Sequence, residues 1–256
     1  MNHPALRGRV ALVTGGSRGI GRGIALKLAA AGADIAVNYN RDEAAALEVV
    51  AESRALGVRA EAFQGSVQGW EDCARVVDQT VAAFGSIGML INNAGIGSRG
   101  NTVADTEPAE MERVIAVNAF GAFYMTKLAL PYLRKQPRSD VIFISTVGTA
   151  IFGPRGAPYT MAKAAMEAMA KTLAKEERQH GVRVNIVAPS LTVTEMGSRL
   201  SRATRGVSDI HELDAQSPFG RVSTPQDIAS LVAYLVSEEN FYISGQRIAV
   251  DGGAGG

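Results

Sequence analysis

Tyr159 and Lys163 are the residues of this chain best suited, by type and spacing, to move a proton. Four positions separate them, so on a helix they stand one turn apart on one face. A phenol ionises near pH ~10 in a model peptide, and a neighbouring ammonium favours the phenolate and lowers that value. So short a pattern also recurs by accident, as a surface tyrosine above a solvated lysine. A hydroxyl, Thr146, stands thirteen positions ahead of Tyr159, where the apolar run Val141-Ile142-Phe143-Ile144 ends. A side chain at a strand end projects into the crevice of an α/β sheet. Its neighbour Ser145 offers a second hydroxyl, but adjacent strand residues point to opposite faces, so both cannot serve equally.

The elements that must position these groups alternate in type. Arg9-Val10-Ala11-Leu12-Val13 reads as a buried strand and leads into Thr14-Gly15-Gly16-Ser17-Arg18-Gly19-Ile20-Gly21, after which Ile24, Leu26 and Leu28 sit among alanines as helix. Strand, glycine turn and helix form the context of a dinucleotide-binding loop, in which glycines admit a pyrophosphate and the helix N-terminus supplies N–H groups. The second strand, Ala33 to Tyr39, ends in Tyr39-Asn40-Arg41, where an NAD site usually carries an acid. Asp42 lies at about the right distance, although capping the next helix explains it equally. Arg18 and Arg41 suit a 2′-phosphate instead, which favours NADP as cofactor.

Val58 to Phe63 reads as a third strand, Trp70 to Phe84 as a helix, and Met89-Leu90-Ile91 as a fourth strand closing on Asn92-Asn93-Ala94-Gly95. Two long helical runs follow. The first, Met111 to Leu133, carries Asn118 in its middle, where asparagine must be satisfied by packing or by function. The second contains Ala164 to Ala170, apolar nearly all round, which asks for burial on two sides and suggests a partner subunit. Val182 to Val187 is a further strand and Pro225 to Val236 a helix, with a last strand at Arg247 to Val250. Residues about 190–219 are irregular; a loop this long inside a domain suits a substrate cover. Arg199, Arg202 and Arg205 recur there at helical spacing, as a solvated face does. No repeat or linker interrupts the alternation, so the expected fold is a single-domain, Rossmann-type, doubly wound parallel α/β sheet over residues 1–256.

Composition narrows the function classes. With 26 basic and 25 acidic residues and no charged block, nothing advertises nucleic acid or an anionic membrane. Cys73 is the only cysteine, which excludes an internal disulfide and a cysteine-rich metal site, and no metal is expected. Met1-Asn2-His3-Pro4 opens without an apolar signal segment, and no apolar run looks long enough to span a bilayer. A soluble, cytoplasmic protein is expected.

The order of these motifs resembles the short-chain dehydrogenase/reductase family over nearly the whole chain. Thr14-Gly15-x-x-x-Gly19-x-Gly21 is similar to its cofactor loop, Asn92-Asn93-Ala94-Gly95 to its fourth-strand motif, and Tyr159-x-x-x-Lys163 to its catalytic pair. Asn118 falls at the position of the family's catalytic asparagine. Val184-Asn185 with Pro189, Thr192 and Thr194 resembles the stretch at the nicotinamide carboxamide, and Gly245-Gln246 with Val250-Asp251-Gly252-Gly253 the C-terminal signature. The resemblance implies hydride transfer between NADP(H) and a carbonyl or alcohol carbon of a small-molecule substrate. Tyr159 would exchange the proton, Lys163 would lower its pKa and hold the ribose, and Asn118 would join a water-linked relay. Thr146, thirteen positions before Tyr159, would polarise the substrate oxygen. A homotetramer or homodimer is implied as well.

Three departures qualify the resemblance. Threonine stands at 146 where the family usually has serine. The third-strand aspartate that holds adenine is Ser66, beside Val67. Pro189-Ser190 replaces the usual Pro-Gly. In general look the chain is most similar to 3-oxoacyl-(acyl-carrier-protein) reductases. Arg134, Lys135 and Arg138 are candidates to dock an acidic carrier, yet His180 replaces an arginine of carrier-binding members, so solvated surface charge is the expectation for all three. A non-catalytic, nucleotide-sensing relative of the same fold is the alternative, opposed by Asn118, Tyr159 and Lys163 together.

Overall fold

Apolar residues run almost continuously through the central strands, and the period of two sends successive ones to opposite faces of one sheet. A computed structural model describes residues 6–254. Its strands are β1 (Val10–Val13), β2 (Asp34–Tyr39), β3 (Ala60–Gln64), β4 (Met89–Asn92), β5 (Ser139–Ile144), β6 (Val182–Pro189) and β7 (Arg247–Val250). They form a seven-stranded parallel sheet in the order β3-β2-β1-β4-β5-β6-β7, the expected doubly wound α/β class. Ala11, Val13, Met89, Ile91, Ile142 and Ile144 join one core; Val10, Leu12, Leu90, Val141 and Phe143 join the other.

Helices cover both faces. On the first lie α1 (Gly19–Ala30), α2 (Glu43–Ala55) and α9 (Pro225–Val236); on the second, α3 (Trp70–Phe84), α5 (Gly121–Leu133) and α7 (Ala157–Glu177). Each fully buried Leu or Ile in these layers contributes about 1.5–3 kcal/mol of transfer free energy. Three further helices, α4 (Pro108–Ile115), α6 (Gly148–Ile151) and α8 (Glu195–Arg205), stand near the C-terminal ends of the strands. Asp42 caps α2, its side chain accepting from Ala45 N at 3.1 Å.

The structure differs from the sequence expectations in several places. The third strand begins at Ala60, and the helical run through Asn118 is split by a π turn, Ala116–Phe120, between α4 and α5. Residues 190–219 are ordered as α8 and the short turns Ile210–Gln216 and Pro218–Gly220. Gly197, Ser198, Ser201 and Thr204 hide α8 from an apolar periodicity. It starts at Thr194, whose hydroxyl accepts from Gly197 N at 2.9 Å, and Arg199, Arg202 and Arg205 line its exposed face. Pro108–Leu133, contrary to expectation, is one helical stretch long and apolar enough by composition to cross a membrane. In the fold it packs against β4, α3 and α7, with Val114, Met125, Ala129 and Leu133 fully buried. The expectation for Met1 to Pro4 lies outside the described residues.

Candidate active site

The glycine loop between β1 and α1 is closed by the end of β4. Gly15 and Gly19 adopt φ of 59° and 54°, a region that strains other residues. A Cβ at Gly15 would lie 3.0 Å from Ala94 Cα, and one at Gly21 would collide with the Gly15 carbonyl and stand 2.5 Å from Asn93 Nδ2. Asn93 Nδ2 donates to the carbonyls of Thr14 (2.9 Å) and Gly15 (3.1 Å), while Thr14 Oγ1 accepts from Asn93 N and Ala94 N, both at 3.0 Å. Asn93 therefore holds the loop. Asn92 donates to Thr126 Oγ1 at 3.0 Å and leaves its Oδ1 buried without a partner. This cradle, which side chains would fill, fits a dinucleotide pyrophosphate over Ser17, Arg18, Gly19, Ile20 and the N-terminus of α1.

The rim shows which neighbours matter beyond the motifs. Buried Asn38 donates to the Gly65 (2.9 Å) and Phe63 (3.3 Å) carbonyls and accepts from Gly15 N (3.4 Å). It ties β2, β3 and the glycine loop together, and only its polarity inside an apolar strand could have flagged it. Tyr39 is turned into the core at 6 % exposure, with its phenol pushed up by burial and by Glu43, so Asn40 and Arg41 are the exposed residues at the end of β2. Arg18 reaches Glu195 of α8 at 3.1 Å. Ser66 N donates to Asp72 Oδ2 at 2.9 Å, and Val67 packs where a Cβ on Gly121 would sit.

The residues expected to handle the proton lie where β4, β5, the π turn and α7 converge. Lys163 is 3 % exposed; its Nζ donates to the Ile144 carbonyl at 2.7 Å and stands 5.8 Å from the centre of the Tyr159 ring. Asn118, in the π turn, donates to the Ile96 and Val114 carbonyls at 2.9 Å each, leaving its Oδ1 buried and unpartnered. A Cβ at Gly95 would lie 2.5 Å from that Oδ1 and 3.4 Å from Lys163 Nζ, so one small space beside Gly95 touches both Asn118 and Lys163. Thr146 Oγ1 accepts from Gly148 N at 3.1 Å. Ser145 Oγ points away, donating to Glu167 Oε1 of α7 at 2.5 Å.

Electrostatics here reverse one expectation. Burial pushes the Tyr159 phenol up to about 12, and burial also lowers Lys163 to about 8 against the upward pull of Glu167. Desolvation of each charged form outweighs the attraction of the lysine for a phenolate.

Next to the glycine loop, Pro189 ends β6, Thr192 is 4 % exposed and donates to Ser190 O (3.0 Å), and Thr194 begins α8, its methyl 3.3 Å from where a Cβ on Gly19 would sit. The sequence, matched against known proteins, then places the chain. Residues 15–255 match the family model described as enoyl-(acyl carrier protein) reductase. The 3-oxoacyl-(acyl-carrier-protein) reductase FabG of Staphylococcus aureus is 38 % identical over 95 % of this chain and 96 % of its own. The short chain dehydrogenase/reductase AacuN of Aspergillus aculeatus is 36 % identical over 97 % and 96 %. A Burkholderia cenocepacia short chain dehydrogenase solved with NADP superposes with a TM-score of 0.89 at 32 % identity, covering 98 % of this chain and all of that one. The chain belongs to the short-chain dehydrogenase/reductase family. It is accordingly an oxidoreductase.

Of the basic residues expected as surface charge, Arg134 is exposed and Arg138 half-buried, and both carry ion pairs. Arg134 makes a bidentate pair with the buried Glu177 (2.8 and 2.6 Å), and Arg138 joins Arg9 and Arg183 around buried Asp140 at the opposite end of the sheet. Their neighbours supply buried carboxylates that the local sequence does not reveal. Lys135 lies over the Tyr132 ring, and His180 is exposed.

Proposed function

We propose that this enzyme is an NADPH-dependent carbonyl reductase of the 3-oxoacyl-thioester type or a close relative of it, with Tyr159 as proton donor. The observation that carries the reading is the small space beside Gly95 shared by Asn118 Oδ1 and Lys163 Nζ, with the Tyr159 ring 5.8 Å from that Nζ. When bound, the nicotinamide supplies a hydride to the carbonyl carbon. Tyr159, kept protonated by its burial, gives its phenolic proton to the carbonyl oxygen. Lys163 holds the nicotinamide ribose and, as ammonium, stabilises the phenolate left behind. Asn118 Oδ1 accepts from a water that returns a proton through Lys163, and the Thr146 hydroxyl polarises the substrate oxygen.

NADP is favoured by exposed Arg18 and Arg41 beside the expected 2′-phosphate and by the NADP bound to the Burkholderia relative. Asn40, Ser66, Val67, Asn92, Ala94 and Gly95 line the adenosine and ribose side, whereas Tyr39 is turned into the core and drops out of that role; Pro189, Thr192 and Thr194 face the carboxamide. The name of the Staphylococcus relative supports the oxoacyl class. Residues 1–256 form one domain in this reading, with about 190–219 covering the substrate, and the enzyme works in the cytoplasm as a homotetramer. Exposed Phe120, Phe123 and Met161 on the α5 and α7 side support assembly. The deciding experiment is NADPH oxidation against ketones, diketones and 3-oxoacyl thioesters. Turnover of thioesters supports the assignment; no turnover of any carbonyl removes it.

A further inference from the structure

Glu167 is a buried carboxylate, 8 % exposed, that the proposed chemistry does not use. Its Oε1 collects three donors from three elements: Ser145 Oγ at 2.5 Å, Thr149 Oγ1 of α6 at 2.7 Å and Arg247 Nε of β7 at 3.0 Å. The same Arg247 sends Nη2 to the Thr146 carbonyl at 2.9 Å and to Thr149 Oγ1 at 3.0 Å. Thr149 Oγ1 also lies 3.0 Å from the Thr146 carbonyl. The step from Ser145 to Thr146 is thus fastened twice, by the serine side chain and by the threonine carbonyl. A buried carboxylate needs donors to stay charged, and donors from separate segments meeting on one oxygen favour one geometry. Where a strand ends, a one-residue slip would exchange the two hydroxyls.

We infer that Glu167 and Arg247 are positioning residues: together they hold the Thr146 hydroxyl toward the substrate and set the electrostatic environment of Lys163. This rests on the reading of Thr146, Tyr159 and Lys163 given above. Glu167 lies one turn beyond Lys163 on α7, and its charge pulls the lysine upward against burial. The groups around Lys163 are Tyr159 and Glu167 on its own helix, Arg247 from β7 through Glu167, the Ile144 carbonyl from β5, Asn118 from the π turn and Gly95 from the end of β4.

Glu167→Gln keeps the shape and removes the charge, whereas Arg247→Met removes the donors and leaves Glu167 unneutralised. Misplacing a reacting group by about 1 Å costs on the order of a hundredfold, so kcat should fall by roughly ten- to a hundredfold in each, with KM for NADPH within about twofold. The high-pH limb of the reduction rate should move down in Glu167→Gln and up in Arg247→Met, with Arg247→Lys restoring part of kcat. Wild-type kcat in both variants, or limbs that stay fixed or move the same way, overturns the inference. NMR titration of Cε-labelled lysines reads the same opposite shifts of Lys163 without turnover. It therefore decides the inference even if the wild type reduces no carbonyl, the result that removes the functional reading instead.

Discussion

Replacing Gly95 with alanine places one methyl group in the space shared by Asn118 and Lys163. Its backbone is outside the left-handed region, so alanine meets no torsional penalty and the effect is purely steric. The new Cβ would stand 2.5 Å from Asn118 Oδ1, against an ordinary contact of about 3.5 Å. Asn118 cannot yield easily, because it is fully buried and fastened by two hydrogen bonds of 2.9 Å. Overpacking of this kind costs about 1–3 kcal/mol. For a chain of this length that corresponds to a fall in Tm of roughly 2–10 °C. Displacement of the asparagine by a large part of 1 Å should also reduce kcat on the order of ten- to a hundredfold. Gly97→Ala is the control, since a Cβ there meets nothing within 4 Å. Scanning calorimetry and NADPH oxidation measure the two effects. If Gly95→Ala matches Gly97→Ala in both Tm and kcat, the common space is not where the chemistry happens.

Tyr159→Phe should abolish turnover while NADPH titration and circular dichroism stay as in the wild type; a variant retaining most of its kcat removes the donor role. Thr146→Val should lose about 10²–10³ in kcat and Ser145→Ala stay near wild type, since Glu167 keeps two other donors; the reverse pattern would mean Ser145 is the polarising hydroxyl. Wild-type protein should bind NADPH about tenfold or more tightly than NADH, and Arg41→Ala should erase most of that preference. Equal titration of both cofactors would refute the 2′-phosphate contact. Light scattering should give a tetramer at micromolar concentration, and a stable monomer would contradict the assembly.

What was legible in the sequence was whatever depends on near neighbours along the chain. The glycine turn, the Tyr159–Lys163 turn and the alternating elements are all written within a dozen residues, and the structure places them together. The π turn was not legible, because one extra residue in a helical ladder leaves the apolar pattern almost unchanged and is fixed by packing around Asn118. Neither was the contact of Arg247 with Glu167, which no spacing rule connects across eighty positions. Arg134 and Arg138 read as surface charge because their partners, Glu177 and Asp140, are recognisable as buried only in the fold. Asn93 stood in a motif at the close of the fourth strand, but its bonds to the Thr14 and Gly15 carbonyls, nearly eighty positions away, are visible only in the fold.

The largest physical revision concerns the proposed proton donor. Sequence reasoning weighs the charge of Lys163 and predicts an acidified phenol; the fold adds burial, which acts on both partners in opposite senses. Tyr159 at about 12 is neutral through the physiological range, and Lys163 at about 8 gives up its proton first as pH rises. A neutral phenol beside an ammonium is the protonation state that gives a proton to a carbonyl oxygen. The phenolate needed to take one from an alcohol must be formed against desolvation. The environment of these two side chains therefore keeps, at neutral pH, the protonation state that the proposed reduction requires.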